Sequence, residues 1–222
     1  MDGNRRWAKA RGLPSSSGHA AGRDVFMRFL DFYTELREQW GTENYIFYAF
    51  STENWNRTPQ EVEAIMGLIE RALEEFDRKL AKIHEAGIKI RFIGQRERLS
   101  PRIQELMRNI ERVTAENPHG TIALAVSYGG HADIVEAANN VIASGKNKIT
   151  EADITENLST RDLPEIDLII RPGGERRLSN FLTWQAAYSE LAFTETLWPD
   201  FTQYELERIF ADYAMRERRR GK

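Results

Sequence analysis

Apolar runs that alternate with predicted helices constrain the fold of this sequence more than any other feature. Four runs are typical of strands buried on both faces, at residues 45–50, 88–93, 121–126 and 166–170. Helices are predicted over residues 20–40, 58–86, 101–116, 133–143 (capped by Asp133), 150–158 and from 202 onward. This alternation predicts an α/β fold with a mainly parallel sheet flanked by helices on both faces. No repeat or linker interrupts residues 1–222, so we expect a single domain.

Arginines, glycines and hydroxyls directly follow two of these strands. The strongest case is the segment 171–180, which contains Arg171, Gly173, Gly174, Arg177 and Ser179. Arginine forks match pairs of phosphate oxygens, and the two glycines allow backbone N–H groups to converge on one point. The segment therefore predicts a cradle for a phosphate or diphosphate at the carboxyl end of a strand. A solvated basic loop is the alternative explanation.

The amino-terminal segment combines a carboxylate, a glycine, an amide and two arginines beside an indole, in the order Asp2, Gly3, Asn4, Arg5, Arg6 and Trp7. A carboxylate can hold a divalent cation while arginines neutralise diphosphate oxygens, so the mixture suits a metal-bound diphosphate. A frayed polar terminus would have the same composition. His19 could donate to an anion, or it could be an ordinary surface histidine.

The helix predicted over 58–86 carries a long apolar stripe. Such a stripe usually packs in a core, but beside a diphosphate site it could equally line a tunnel for a hydrocarbon tail. A further segment, 187–193, is predicted to form an edge strand that presents Glu190. The helix from 202 is predicted to end in a solvated basic segment at 216–221.

Composition excludes several classes of function. The formal net charge is −3, so the chain has no bulk basic field that would recruit nucleic acid. Cysteine is absent, which excludes disulfides, thiolate metal sites and cysteine nucleophiles. No apolar run approaches the roughly 20 residues that a membrane helix needs, and no secretion signal is visible, so a cytoplasmic setting is expected.

Taken together, several blocks closely resemble the cis-prenyltransferases, the undecaprenyl diphosphate synthase family. The blocks occur in family order and cover essentially the whole chain, at residues 1–8, 18–19, 48–57, 128–130, 170–182, 184–185 and 190. The resemblance implies repeated cis condensation of isopentenyl diphosphate onto an allylic primer, commonly farnesyl or geranylgeranyl diphosphate. It also implies magnesium (Mg²⁺) as cofactor, an apolar substrate tunnel, a homodimer, and peripheral membrane contact through the lipid product. A non-catalytic accessory subunit of a heteromeric enzyme is the rival hypothesis.

The resemblance also assigns roles to residues. Asp2 matches the family's essential aspartate and a magnesium ligand, and Glu190 matches a second magnesium ligand, which reaches from the partner's side of the dimer. Asn54 matches the proposed proton acceptor, although an amide is a feeble base and a relay or positioning role fits its chemistry better. The matches to substrate-contacting residues are Gly3, Asn4, Arg5, Arg6, Trp7, His19, Ser51, Thr52, Glu53, Trp55, Arg57, Arg171, Arg177, Leu178 and Ser179.

Three departures from the family pattern stand out. The family normally has an apolar strand before the Asp-Gly-Asn segment, whereas the sequence as given starts at Met1. Ser15 occupies a position where many members carry a diphosphate-binding arginine. The absence of that arginine contact would weaken diphosphate binding by roughly 1.5–3 kcal/mol unless Arg11 or Arg23 substitutes. Ser127 and His131 stand where asparagine and arginine are common.

Overall fold

A computed structural model describes residues 1–216, apart from the side chain of Asp77. The predicted basic segment 216–221 thus lies outside the described residues from 217 onward. The α-helices are α1 Asn4–Ala10, α2 Ser15–Trp40, α3 Pro59–Glu85, α4 Pro101–Thr114, α5 Gly130–Ala143, α6 Glu151–Asn157 and α7 Gln203–Ala214. The strands are β1 Tyr45–Ser51, β2 Lys89–Ile93, β3 Thr121–Tyr128, β4 Leu168–Arg171 and β5 Glu190–Phe193. Short 3-10 helices occur at Thr52–Asn56, Arg96–Arg98, Gln185–Tyr188 and Trp198–Asp200.

All strand pairs are parallel, as predicted, but the strands form two sheets. The first sheet has the order β1-β3-β2, and the second contains only β4 and β5. β3 is central and is buried along almost its whole length, which explains its continuous apolar sequence. Within the described residues β1 pairs only with β3, and β4 pairs only with β5. β2 and β5 likewise have one partner each, so β1 and β2 are the edge strands of the first sheet and β4 and β5 are those of the second.

The core forms where α2, α3 and α4 pack on the first sheet. Aromatic rings from α2 dominate it: Phe26 and Phe29 each meet Phe47 of β1 edge-on at 4.9 Å. Burying a ring of this size contributes on the order of 2–3 kcal/mol, so the aromatic spacing of α2 determines the face it presents to the sheet. Within residues 1–216, no helix is long and apolar enough to cross a membrane.

Four element boundaries differ from the sequence prediction. α2 begins at Ser15 rather than near residue 20, and β5 begins only at Glu190 because Gln185–Tyr188 forms a 3-10 helix. The helix predicted over 101–116 ends at Thr114. Asp133 is not the N-cap of α5, which begins at Gly130 after Gly129. The Asp133 carboxylate instead accepts hydrogen bonds from the Tyr128 hydroxyl at 3.1 Å and the Ser159 N–H at 2.9 Å.

Candidate active site

The amino-terminal motif and the arginine-rich loop meet at the carboxyl end of β4. Arg171, the last residue of that strand, donates from Nη2 to Oδ2 of Asp2 at 2.9 Å. Asp2 is held from the other side, because its carbonyl accepts a hydrogen bond from the Trp198 N–H at 2.9 Å. Two segments 169 residues apart in sequence are therefore joined by one ion pair.

Arg171 organises the loop that follows it. Its guanidinium also donates to the Ser179 hydroxyl at 2.8 Å and to the carbonyl oxygen of Arg177. The side chain is only 15% exposed, so its charge lies in a partly desolvated position where hydrogen bonds to an anion are strong. Arg177 extends outward and pairs with Glu175 at 2.6 Å. The predicted cradle is thus a folded loop rather than a solvated segment.

The two glycines of this loop have a different role from the one predicted. Their N–H groups do not converge on an anion site: Gly173 donates to the Thr196 carbonyl at 2.8 Å, and Gly174 donates to the Thr194 carbonyl at 2.8 Å. Both have positive φ, and a Cβ on Gly173 would lie 3.3 Å from the backbone of Asp2. Gly173 is therefore needed for the close approach of the loop to Asp2, and arginine side chains carry the anion-binding capacity.

The segment after β1 forms a 3-10 helix that faces the same region. Ser51 caps it, and Oδ1 of Asn54 accepts a hydrogen bond from the Ser51 N–H at 3.2 Å. This hydrogen bond fixes the orientation of the Asn54 amide relative to the end of β1. Thr52 donates to Glu53 at 3.2 Å.

Asn180 connects the two loops, and the sequence analysis did not assign it a role. Its Nδ2 donates to Glu53 at 2.7 Å, while its Oδ1 and carbonyl accept from the N–H groups of His131 and Gly130 at 2.8 and 2.7 Å. Asn180 has φ +61, and Ser179 beside it has φ +52. Asparagine tolerates this left-handed conformation better than most residues. The position of Asn180 in a loop after a strand was the only sequence signal that could have marked it as a site residue.

A second group of cationic side chains lies around His19. Arg5 of α1 pairs with Glu61 of α3 at 3.4 Å. The pKa of His19 is lowered below its usual 6.5, mainly by burial of the ring and secondly by the positive charges of Arg57 and Arg5. His19 is therefore neutral at neutral pH and can act as a hydrogen-bond donor without adding charge. Glu61 was not among the predicted site residues.

The carboxylates of the site remain ionised. Burial raises the pKa of Asp2, but hydrogen bonds from Arg171 and the Gly3 N–H, with the charges of Arg171 and Arg6, outweigh burial and lower it below 3.8. The pKa of Glu53 is likewise lowered, because the hydrogen bond from Asn180 and its local partners outweigh desolvation. Asp2 can thus serve as a negatively charged ligand for a divalent cation.

A cavity of about 1570 Å³ opens beside these groups. Its lining is polar where it meets Asp2, Arg57 and Arg171, and elsewhere it includes aromatic rings such as Phe29, Phe32, Phe47, Phe201 and Phe210. It runs along β1, whose seven residues span roughly 20 Å. The open edges of β1 and β4 line this cavity from two sides. Asp2 lies at one end of the cavity, at the position to which the strand expected from the family resemblance would lead.

Half of the predicted site residues line this cavity: Asp2, Ser51, Glu53, Asn54, Arg57, Arg171, Arg177, Leu178 and Ser179. The others do not, namely Gly3, Asn4, Arg5, Arg6, Trp7, His19, Thr52, Trp55 and Glu190. No residue of α3 lines the cavity either. Its inward residues Leu73, Phe76 and Ile83 are at most 2% exposed and lie in the core. This cavity lies between the open edges of β1 and β4, so it does not test whether α3 walls a tunnel, and that assignment stays a prediction.

Asn4 and Trp7 help to hold α1 in place. Oδ1 of Asn4 is buried without a hydrogen-bond partner, and a Cβ on Gly22 would lie 2.4 Å from it. The indole of Trp7 donates to Asp200 at 2.7 Å, and Arg11 stacks over the ring at 4.2 Å. Their contacts are structural, because they dock α1 against α2 and the 198–200 segment.

Glu190 does not share a site with Asp2 within one chain. The β4–β5 register places Glu190 opposite Leu168, three residues from Arg171, or roughly 10 Å along the strand. Its carboxylate instead pairs with Arg216 at 2.9 Å. Among residues 1–216, no group of three or more His, Asp or Glu side chains could hold a metal ion. A cation here would be bound by Asp2 with substrate oxygens, an arrangement typical of Mg²⁺.

The two arginines near Ser15 each have a carboxylate partner at the surface. Arg11 pairs with Asp200 at 3.2 Å, and Arg23 pairs with Asp24 at 2.7 Å. Neither lines the cavity. Whether either arginine takes the place of the missing contact stays a prediction.

Fold and site together define an α/β protein with an arginine-rich anion site at strand ends and an adjoining, partly aromatic cavity. A family model described as "Putative undecaprenyl diphosphate synthase" matches residues 1–221. The chain therefore belongs to the undecaprenyl diphosphate synthase family of cis-prenyltransferases.

Individual relatives agree with this assignment. The isoprenyl transferase of Chromobacterium violaceum is 45% identical over all of this chain and 86% of its own length. A farnesyl-diphosphate-specific undecaprenyl diphosphate synthase from Xanthomonas axonopodis pv. citri is 43% identical, with the same coverage. The crystal structure of lavandulyl diphosphate synthase from Lavandula x intermedia, in complex with dimethylallyl diphosphate, superposes with a TM-score of 0.89. It is 33% identical and covers 100% of this chain and 95% of the other.

Proposed function

We propose that this chain condenses isopentenyl diphosphate in cis onto an allylic diphosphate primer, farnesyl or geranylgeranyl diphosphate, and so forms a polyprenyl diphosphate. The observation that carries the proposal is the contact between Asp2 and Arg171 at the mouth of the cavity. It brings a cation-binding carboxylate and an arginine-rich loop within one hydrogen bond of each other. Two diphosphates held side by side need this density of opposite charge.

The residues divide between the two substrates. Arg171, Arg177 and Ser179 bind the diphosphate of isopentenyl diphosphate, and Leu178 contacts its apolar part. Asp2 lies beside the allylic diphosphate, to which the backbone of Gly3 and the side chains of Arg5, Arg6 and His19 are directed from α1 and α2. The growing tail needs an apolar tunnel, and the apolar stripe of α3 is the predicted wall for it.

The chemistry requires stabilisation of charge on the leaving group. Breaking the allylic carbon–oxygen bond places negative charge on the departing diphosphate, and the arginines stabilise it in place of water. The isopentenyl double bond then attacks the allylic carbon, and a proton is lost from the new cation. Asn54, held by the Ser51 N–H, positions the reacting segment. Bound Mg²⁺, ligated by Asp2, would add further neutralisation of the diphosphate.

We also propose that the protein is a homodimer and that β5 forms part of its interface. β5 pairs only with β4 among the described residues, and Leu191 and Phe193 on it are 38% and 37% exposed. A symmetric contact at this edge would cover these side chains and bring Glu190 to a neighbouring subunit. A cytoplasmic location with peripheral membrane contact through the product remains a prediction.

The activity is tested by incubating the protein with Mg²⁺, labelled isopentenyl diphosphate and one allylic primer at a time. Farnesyl, geranylgeranyl and dimethylallyl diphosphates should be compared, and chromatography of the extracted product gives its length. We expect label in a polyprenyl product, and loss of incorporation with EDTA or with Asp2→Ala. Absence of incorporation with every primer would refute the activity and would favour the accessory-subunit alternative. The full-length match to relatives named as transferases does not favour that alternative.

A further inference from the structure

Ser127, near the end of β3, combines complete burial with a strained backbone. Its exposure is 0%, and its φ is +54, a conformation that residues with a side chain rarely adopt. Asparagine, which is common at this position in the family, tolerates that conformation, whereas serine has no such preference. Strain of this kind persists when surrounding structure enforces it, and it often marks a functional position.

The hydroxyl of Ser127 has a specific partner. Nε1 of Trp55 donates to it at 2.9 Å, across 72 residues of sequence. The Trp55 ring also meets Phe50 edge-on at 5.1 Å, and the guanidinium of Arg98 lies 4.8 Å over its centroid. The indole is therefore held by groups from β1, from β3 and from the segment after β2.

Ser127 itself cannot shift easily away from Trp55. Its carbonyl accepts a hydrogen bond from the Gln95 N–H at 3.0 Å. A Cβ on Gly94 would lie 2.3 Å from the Val126 carbonyl and 2.9 Å from that of Ser127, so the backbone after β2 packs directly on this part of β3. The positive φ is thus imposed where the ends of β2 and β3 meet.

Trp55 follows Asn54 in the 3-10 helix, and the two residues face different surroundings. Asn54 and Ser51 line the cavity, whereas Trp55 does not. The indole therefore anchors the 3-10 helix from behind while Asn54 faces the cavity. We propose that Ser127 is a positioning residue: its hydroxyl fixes Trp55 and thereby sets the placement of Asn54 at the reaction site. This inference rests on the proposed function and assigns a role to a residue outside the predicted site.

Three substitutions separate the hydrogen bond from the backbone strain. Ser127→Ala removes the acceptor and keeps the strain, Ser127→Gly removes both, and Ser127→Asn relieves the strain while supplying an amide oxygen. We expect Ala and Gly to lower kcat by roughly tenfold, the effect of one lost hydrogen bond, with KM changed by less than about twofold. Asn should restore kcat. Gly should unfold at higher urea concentration than Ala.

A spectroscopic measurement tests the contact without requiring turnover. In protein labelled with ¹⁵N-tryptophan, the Trp55 indole signal is identified by its loss in Trp55→Phe. We expect Ser127→Ala and Ser127→Gly to shift this signal and speed its hydrogen exchange, and Ser127→Asn to preserve protection. If the wild-type protein transfers no prenyl group, the proposed function fails, while this measurement still decides whether Ser127 holds Trp55.

Other outcomes would overturn the proposal. An indole signal unchanged in Ser127→Ala would show that the contact does not exist. A wild-type kcat in Ser127→Gly, which lacks the hydroxyl, would show that the hydroxyl does not set the placement of Asn54. If the Ser127 variants do not fold, Trp55→Phe removes the donor and leaves β3 intact. It should lower kcat by the same factor of roughly ten, and a kcat within about twofold of wild type would refute the positioning role.

Discussion

Replacement of Gly173 by alanine tests whether the close approach of the arginine loop to Asp2 supports catalysis. Gly173 has φ +96, where a side chain costs about 1–2 kcal/mol. The added methyl group would lie 2.9 Å from the Arg6 guanidinium and 3.3 Å from the carbonyl group of Asp2. The guanidinium ends a flexible side chain and can move. Asp2 cannot move freely, because its carbonyl accepts from the Trp198 N–H at 2.9 Å.

Gly145 provides a matched control. It has φ +85, and nothing lies within 4 Å of a Cβ built on it. Gly145→Ala therefore introduces similar backbone strain without touching the site. We expect both variants to lose about 1–2 kcal/mol of unfolding free energy in urea denaturation.

Only Gly173→Ala should impair catalysis. A shift of a few tenths of an ångström in Asp2 should lower kcat/KM by roughly 10- to 100-fold in the labelled isopentenyl diphosphate assay. Gly145→Ala should keep the wild-type value. If Gly173→Ala also keeps kcat/KM within about twofold of wild type, the loop does not need this approach and our account of the glycine is wrong.

Three further predictions follow from the ion pairs. Arg171→Lys cannot keep the planar contacts to Asp2 and Ser179, so KM for isopentenyl diphosphate should rise by roughly 30-fold or more in steady-state kinetics; an unchanged KM would contradict this. Burial raises the pKa of Asp2, but its hydrogen bonds with Arg171 and the Gly3 N–H lower the pKa by more than burial raises it. The contribution of the Asp2 carboxylate to stability is therefore present above pH 3.8 and is lost as the pH falls below that value. Urea denaturation of wild type and Asp2→Asn should show a stability difference that is constant above about pH 5 and shrinks as the pH falls through 3.8; a difference that already shrinks near neutral pH would count against the pair. Asp200→Ala removes the acceptor of the Trp7 indole and should destabilise the protein by about 1 kcal/mol. The control Asp162→Ala, which breaks an exposed ion pair with Arg91, should change stability by less than about 0.5 kcal/mol. Equal effects of the two substitutions would exclude a special role for Asp200.

The predicted helix starts were most accurate where the signals are local. Thr58 and Ser100, each followed by proline, cap α3 and α4 as their sequences indicate, because a cap depends only on atoms within one turn. The start of α2 was missed because the serines at 15–17 and Gly18 resemble loop residues. Gly18 and Gly22 lie inside the helix, and a Cβ on either would collide with Asn4. Glycine is needed at both positions because α2 contacts α1 there, and no local sequence pattern encodes that contact.

The same distinction applies to the site. Arg171, Arg177 and Ser179 were identified because residue types and strand ends indicate anion binding, and the structure places them in one loop at the cavity. The role of the Gly173 N–H group and that of the apolar stripe on α3 could not be decided from sequence. Whether an N–H group is free depends on a distant carbonyl such as that of Thr196, and an apolar stripe looks the same on a core helix and on a tunnel wall.

By itself, the sequence determined the parallel α/β class, the side-chain types of the arginine loop and the family, because periodicity, caps and side-chain types are properties of short segments. Tertiary structure decided that Asp2 meets Arg171, that Trp55 is anchored by Ser127, and that Glu190 pairs with Arg216 away from Asp2. These contacts join residues far apart in the chain. Their geometry follows from how the strands end and pack, and it exists only once the whole chain has folded.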